Sequence, residues 1–178
     1  MVDDSNESGI NDGVIIIRPF QFKDAEIHLK GEDEELVKWL NEGKRSTVES
    51  VRNWIAENRR YWQKDGSRFT FAIETFADHV LVGMVEANID FKNIEGLMDG
   101  DANISYGLYQ DTRGKGYASR AVVLLLGFLR RKGIKRAVLR IHPKNKDSLK
   151  IPKRFRFEKQ GVITTSKNEI FEIFTKAL

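Results

Sequence analysis

Ile104-Ser-Tyr-Gly-Leu-Tyr109 alternates as a strand does and runs through Gln110-Asp-Thr into Arg113-Gly114-Lys115-Gly116. That turn opens directly into an apolar helix expected over Ala118–Arg131. A glycine-rich turn between a strand and a helix N-terminus suits a diphosphate. Glycines let backbone N–H groups close on the phosphates, and the helix dipole favours negative charge. What this chain can do depends first on which phosphate-bearing ligand such a turn would hold.

The turn does not fit the common nucleotide fingerprints. In Gly114-x-Gly116-x-x-Ser119 the third glycine is replaced by serine, and no acid lies about 20 residues on to take a ribose hydroxyl. The pattern Gly-x-x-x-x-Gly-Lys-Ser/Thr is absent, which argues against an NTPase. No Gly-x-Ser-x-Gly elbow occurs. The three histidines form no His-x-x-x-His pair, so no metal is expected. Without cysteine there is no disulfide framework and no thiol nucleophile.

The net charge of +4 comes from 30 basic and 26 acidic residues interleaved along the chain, not from a basic arm. That favours a protein holding a polyanionic small molecule over a nucleic-acid binder. The first dozen residues are polar and acidic and lack the pattern of a signal peptide. No apolar run is long enough to span a bilayer. A cytoplasmic protein without a membrane partner is expected.

The 178 residues are expected to form one domain over 13–178 after a flexible tail over 1–12. Val14–Arg18 reads as a β-branched strand stopped by Pro19. Asp24–Leu40 is helical with a break near Gly31. Ser46-Thr-Val-Glu49 has the form of a capping box for a helix reaching Lys64. Strands are expected at Phe69–Ile73, Val80–Asp90, Ala102–Tyr109, Arg136–Ile141, Phe155–Val162 and Glu169–Thr175, with a short helix over Asp147–Arg154. The result is an α/β (α+β) chain with a mixed, mostly antiparallel sheet of about six or seven strands and about four helices.

Strand-Tyr106-Gly-Leu-Tyr, then Arg113-Gly-Lys-Gly-Tyr-Ala118, a helix, a strand and His142-Pro-Lys-Asn145-x-x-Ser148 together resemble the GNAT superfamily of acetyl-CoA-dependent N-acetyltransferases. The sequence looks most like the Rim-type branch that acetylates ribosomal-protein N-termini. The resemblance runs from Val14 to the C-terminus. It implies that the backbone of Gly114, Lys115, Gly116, Tyr117 and Ala118 holds the pyrophosphate of coenzyme A, with Arg113 and Lys115 adding charge. It further implies that Leu108 and Tyr109 offer backbone to the pantetheine arm, and that Asn145 and Ser148 contact the cofactor near its sulfur. Two positions depart from the pattern. Pro152 stands where many relatives carry a tyrosine acid, and Arg156 stands where this branch has glycine before Phe157.

The implied reaction is direct acetyl transfer from acetyl-CoA to a primary amine in a ternary complex. The acceptor is a protein N-terminus or a small amine. The amine must lose a proton and the leaving thiolate must gain one. Ser148 is the candidate donor to the thiolate, or else simply a helix cap. Glu86, an acid among Met84, Val85 and Ala87, is the candidate base, or else a solvated strand residue. His142 is the other candidate, and the Glu that serves in some relatives is here Arg140. A non-catalytic acyl-CoA-binding or sensing module on the same fold is the rival reading. A monomer and a homodimer are both compatible with the sequence.

Overall fold

The structure, a computed structural model, describes residues 9–178. A run of isoleucines makes the first long strand. Ile15–Pro19 (β2) buries Ile15 and Ile17 and ends at a proline, which has no N–H to extend a ladder. It pairs antiparallel with Ile10–Asn11 (β1) on one edge and Arg68–Thr75 (β3) on the other, so that Ile17 faces both Ile10 and Ile73. The sheet continues through Leu81–Asn88 (β4), Asp101–Leu108 (β5) and Arg136–Ile141 (β6). Glu158–Thr164 (β7) and Ile170–Ala177 (β8) complete the order β1-β2-β3-β4-β5-β6-β8-β7. The helices are Ala25–Gly31 (α1), Glu34–Leu40 (α2), Val48–Gln63 (α3), Tyr117–Arg131 (α4) and Lys150–Arg154 (α5).

The fold is thus the expected mixed α/β type. It has eight strands rather than six or seven, and five α-helices among the described residues. The extra strand is β1, two residues too short to show a period, inside the stretch read as a tail; residues 1–8 of that tail lie outside the described residues. The extra helix arises where Glu32 turns extended after α1. Asp33 then caps α2, its Oδ1 accepting from the Leu36 N–H at 3.0 Å. The capping box of α3 also sits one residue later than expected. Thr47 and Ser50 exchange hydrogen bonds of 2.8 and 3.1 Å, while the Ser46 N–H donates to Glu32 Oε1.

Contacts divide the chain into two compact units. The first holds the described residues up to Glu86 with Tyr106–Leu125, and the second holds Ala87–Ser105 with Leu126–Leu178. In the first, Phe20, Ala25, Val51, Ile55, Ala72, Leu81 and Tyr109 form a core, with Leu29, Leu36, Trp54 and Met84 packed on it. Beside that core Arg18 is buried between Asp24 and Glu74, bonded at 2.5–3.0 Å. This arrangement satisfies three charges that would be costly alone.

In the second unit β5 and β6 run parallel, and their ladder covers Asp101↔Arg136, Ala102↔Ala137 and Asn103↔Val138. Arg136 grips Asp101 through two bonds of 2.7 Å at its start. Both strands run on past the ladder, β6 remaining paired with β8 to Ile141. No described helix is long and apolar enough to cross a membrane.

Candidate active site

The glycine turn is built as the sequence predicts. Gly114 and Gly116 take φ of +77° and +82°, the left-handed region that side chains resist, and a Cβ on either would meet nothing within 4 Å. The space beside the turn is therefore open. The Arg120 N–H donates to the Gly116 carbonyl at 3.2 Å, so the turn leads straight into α4, and a helix N-terminus favours an anion. Lys115 is exposed beside it.

Arg113 is engaged within the protein. Its guanidinium turns to α2, pairing with Asp33 at 2.7 Å and Glu35 at 2.8 Å, and its Nε donates to the Leu108 carbonyl at 3.0 Å. The hydrogen bond from Arg113 holds Asp33 below the ordinary carboxylate range. Arg113 is thus a strap between the glycine turn and the N-terminus of α2.

Tyr109 also turns inward. Its N–H donates to the Val82 carbonyl at 2.9 Å, and its own carbonyl accepts from the Thr112 N–H and hydroxyl. Its ring lies against Gly31, where a Cβ would come within 2.4 Å of it. The phenol meets His28 Nδ1 at 2.8 Å, and the His28 ring stacks on Trp54 with centroids 5.1 Å apart. Burial raises the Tyr109 pKa and lowers that of His28 to about 4, so both are neutral at pH 7. Strand alternation directs the backbone of Leu108 to the opposite edge from that of Tyr109, where its carbonyl accepts from Arg113. The aromatic group of Phe20, His28, Trp54 and Tyr109 was not foreseen, because its members are scattered from position 20 to position 109.

Glu86 is half-buried on β4 and points at β3 and α3. Its Oε2 accepts from the Thr70 hydroxyl at 2.6 Å, and burial raises its pKa, with the Thr70 bond and Arg68 opposing and Glu57 adding. A carboxyl with a raised pKa, held by one hydroxyl, is a better proton acceptor than a solvated one. Nothing in the sequence pointed to Thr70 as its partner.

In the second unit Asn145 and Ser148 share one turn. Asn145 Oδ1 accepts from the Ser148 N–H at 3.1 Å, and the helix expected from Asp147 begins only at Lys150, with Leu149 at its cap. Asn145 therefore does the local capping, and Ser148 is not the cap of α5. His142 Nδ1 accepts from the Lys144 N–H at 3.1 Å, which ties that imidazole into the same turn. Arg140 lies over the Phe171 ring at 4.6 Å.

Pro152 is buried within α5, and its carbonyl accepts from the Phe157 N–H at 2.9 Å. Arg156 takes φ of +55° at the end of that helix. A glycine suits this left-handed closing residue. The exchange Arg156→Gly is expected to raise stability by about 1 kcal/mol, or about 2–4 °C in Tm. A thermal melt showing an unchanged or lower Tm would mean that the Arg156 side chain offsets its backbone strain.

Among the described residues no group of three or more His, Cys, Asp or Glu side chains is placed to hold a metal ion. An open glycine turn between a strand and a long helix, on a mixed sheet with a parallel β5–β6 pair, suits an anionic ligand. The family profile described as acetyltransferase (GNAT) domain matches residues 15–158, and the chain belongs to that family. No curated protein matches it by sequence.

Solved structures share the fold. The microcin C7 self-immunity acetyltransferase MccE, in complex with acetyl-CoA and AMP, superposes with a TM-score of 0.80 at 22% identity, covering 98% of this chain and 100% of its own. RimJ from Mycobacterium smegmatis, in complex with a CoA disulfide, gives 0.75 at 18%, covering 93% and 82%. A Salmonella typhimurium acetyltransferase that modifies the N-terminal serine of ribosomal protein L7/L12 gives 0.77 at 18%, covering 94% and 96%.

Proposed function

We propose that this chain, as one domain over 13–178, moves an acetyl group from acetyl-CoA directly to a primary amine, either a protein N-terminus or a small amine. The observation that carries this is the Gly114–Gly116 turn, left-handed at both glycines and open on its outer side. The fit is chemical as well as steric: a diphosphate there meets N–H donors, the positive end of α4 and Lys115. The Salmonella enzyme, which modifies an N-terminal serine, supports the N-terminal acceptor, and MccE, solved in complex with acetyl-CoA and AMP, supports a small one.

In this reading the backbone of residues 114–118 and Leu108 binds the cofactor, with Asn145 near its sulfur. Glu86 accepts the proton that the attacking amine must lose, and Ser148 gives one to the departing thiolate. Backbone N–H groups hold the charge that develops on the carbonyl oxygen. Calorimetric titration with acetyl-CoA, and separately with NAD, tests the donor half; a selective micromolar signal for acetyl-CoA is expected. Equal or absent binding of the two would reduce the turn to a structural feature.

Ser148→Ala is expected to lower kcat about tenfold or more while leaving acetyl-CoA affinity nearly unchanged. The Asn145 bond survives, because it runs to the Ser148 backbone N–H, which alanine keeps. Equal losses in kcat and in acetyl-CoA affinity would make Ser148 a binding residue.

A further inference from the structure

The Thr70 hydroxyl lies 2.6 Å from Glu86 Oε2 and 3.2 Å from Asn58 Oδ1, and both are acceptors as placed. A hydroxyl has one proton and cannot donate to both. Thr70 and Asn58 are buried, and Asn58 Nδ2 is buried with no hydrogen-bond partner. Two arrangements remove the conflict. With Glu86 protonated, its O–H donates to Thr70 Oγ1 and the Thr70 hydroxyl donates to Asn58 Oδ1. With Glu86 ionised, the Thr70 hydroxyl donates to the carboxylate, and the Asn58 amide, turned end for end, donates its N–H to Thr70 Oγ1. An amide keeps its shape when turned, so the second arrangement fits the same space.

We propose that Asn58, Thr70 and Glu86 form a reversible hydrogen-bond chain, in which Thr70 and Asn58 are positioning residues that satisfy Glu86 both before and after it takes a proton. This rests on the reading of Glu86 as the base. The chain reverses as a unit because the one Thr70 hydroxyl proton goes either to Glu86 or to Asn58, and each choice fixes what the other two must do. The charged groups facing Glu86 are Arg68 on β3 and Glu57 on α3, themselves 3.9 Å apart. The backbone that carries Thr70 is fixed by Trp62, whose Nε1 donates to the Thr70 carbonyl at 3.1 Å. A base that must gain and release a proton in every turnover is held in one place by such a chain, with no rearrangement of the surrounding backbone.

The test is an NMR titration of the full chain, following the carboxyl carbon of Glu86 and the side-chain amide of Asn58. In the wild type the Asn58 signals are expected to move with the same midpoint as Glu86. Thr70→Ser keeps a hydroxyl and should preserve the coincidence. Thr70→Val should abolish the Asn58 response and move the Glu86 midpoint upward, because the ionised form loses its donor. Asn58 signals that ignore the Glu86 midpoint in the wild type would overturn the chain, and the wild-type measurement alone decides this if Thr70→Val does not fold. An Asn58 response of equal size in Thr70→Val would overturn it too. Unchanged turnover in Glu86→Gln would instead remove the reading of Glu86 as base and leave the titration result standing.

Discussion

Gly116→Asp is expected to leave a folded protein that has lost acetyl-CoA binding by about a thousandfold. The residue sits at φ of +82°, and a Cβ there would meet no protein atom within 4 Å. The cost to the fold is therefore confined to one residue held left-handed, about 1–2 kcal/mol, or a few degrees in Tm. The cost to the ligand is larger. A carboxylate about 4 Å from a phosphate charge, at an effective dielectric of about 20, is opposed by about 4 kcal/mol. Gly116→Ala separates shape from charge, since it adds the Cβ without the carboxylate. Calorimetry with acetyl-CoA, paired with a melt of each variant, reads both. A folded Gly116→Asp protein that binds as the wild type does would show that the diphosphate does not lie on this turn.

That turn was legible because a chemical need wrote it into one short stretch. Glycine is called for where φ is positive, and its place between β5 and α4 follows from a change of period from two to 3.6. The order of the long elements was legible for the same reason. The bounds were not. The helix expected at Asp147 starts at Lys150 because the Asn145 side chain bonds the Ser148 N–H and holds the intervening residues in turns. Thr47 caps α3 in place of Ser46 because Ser46 is engaged by Glu32, fourteen residues away.

The roles of charged side chains were the least legible. The resemblance implies that Arg113 adds charge at the phosphates, but its partners Asp33 and Glu35, within 2.8 Å, lie eighty and seventy-eight positions earlier in the chain and no local pattern names them. The same limit applies to Glu86. Its alternation with Val85 and Ala87 marks a strand, but its surroundings depend on how β3, β4 and α3 meet, which no local pattern encodes. Arg156 shows the converse. Its departure from the family glycine was visible in the sequence, and the structure gives the consequence, a left-handed residue with a side chain.

Glu86→Gln is expected to lower kcat/KM by about a hundredfold or more while sparing acetyl-CoA affinity, as loss of a positioned base does. The assay is acetylation of a panel of N-terminal peptides and small amines. The base acts in its ionised form, and burial raises the Glu86 pKa. The wild-type kcat/KM should therefore fall, as pH is lowered, at a higher pH than a solvated glutamate would give. The glutamine variant should lack that limb.

Stability should move the opposite way. A folded-state pKa above the unfolded value means that the favourable contribution is complete at low pH and is lost as pH rises through the folded pKa. Glutamine has the shape of the protonated acid and, like it, can donate to Thr70 Oγ1. The variant should thus melt above the wild type at neutral pH, and the gap should close on acidification. Higher stability with unimpaired turnover would show a glutamate that burdens the fold without serving the reaction. Higher stability together with lost turnover is the pattern of a base held at a cost to the fold.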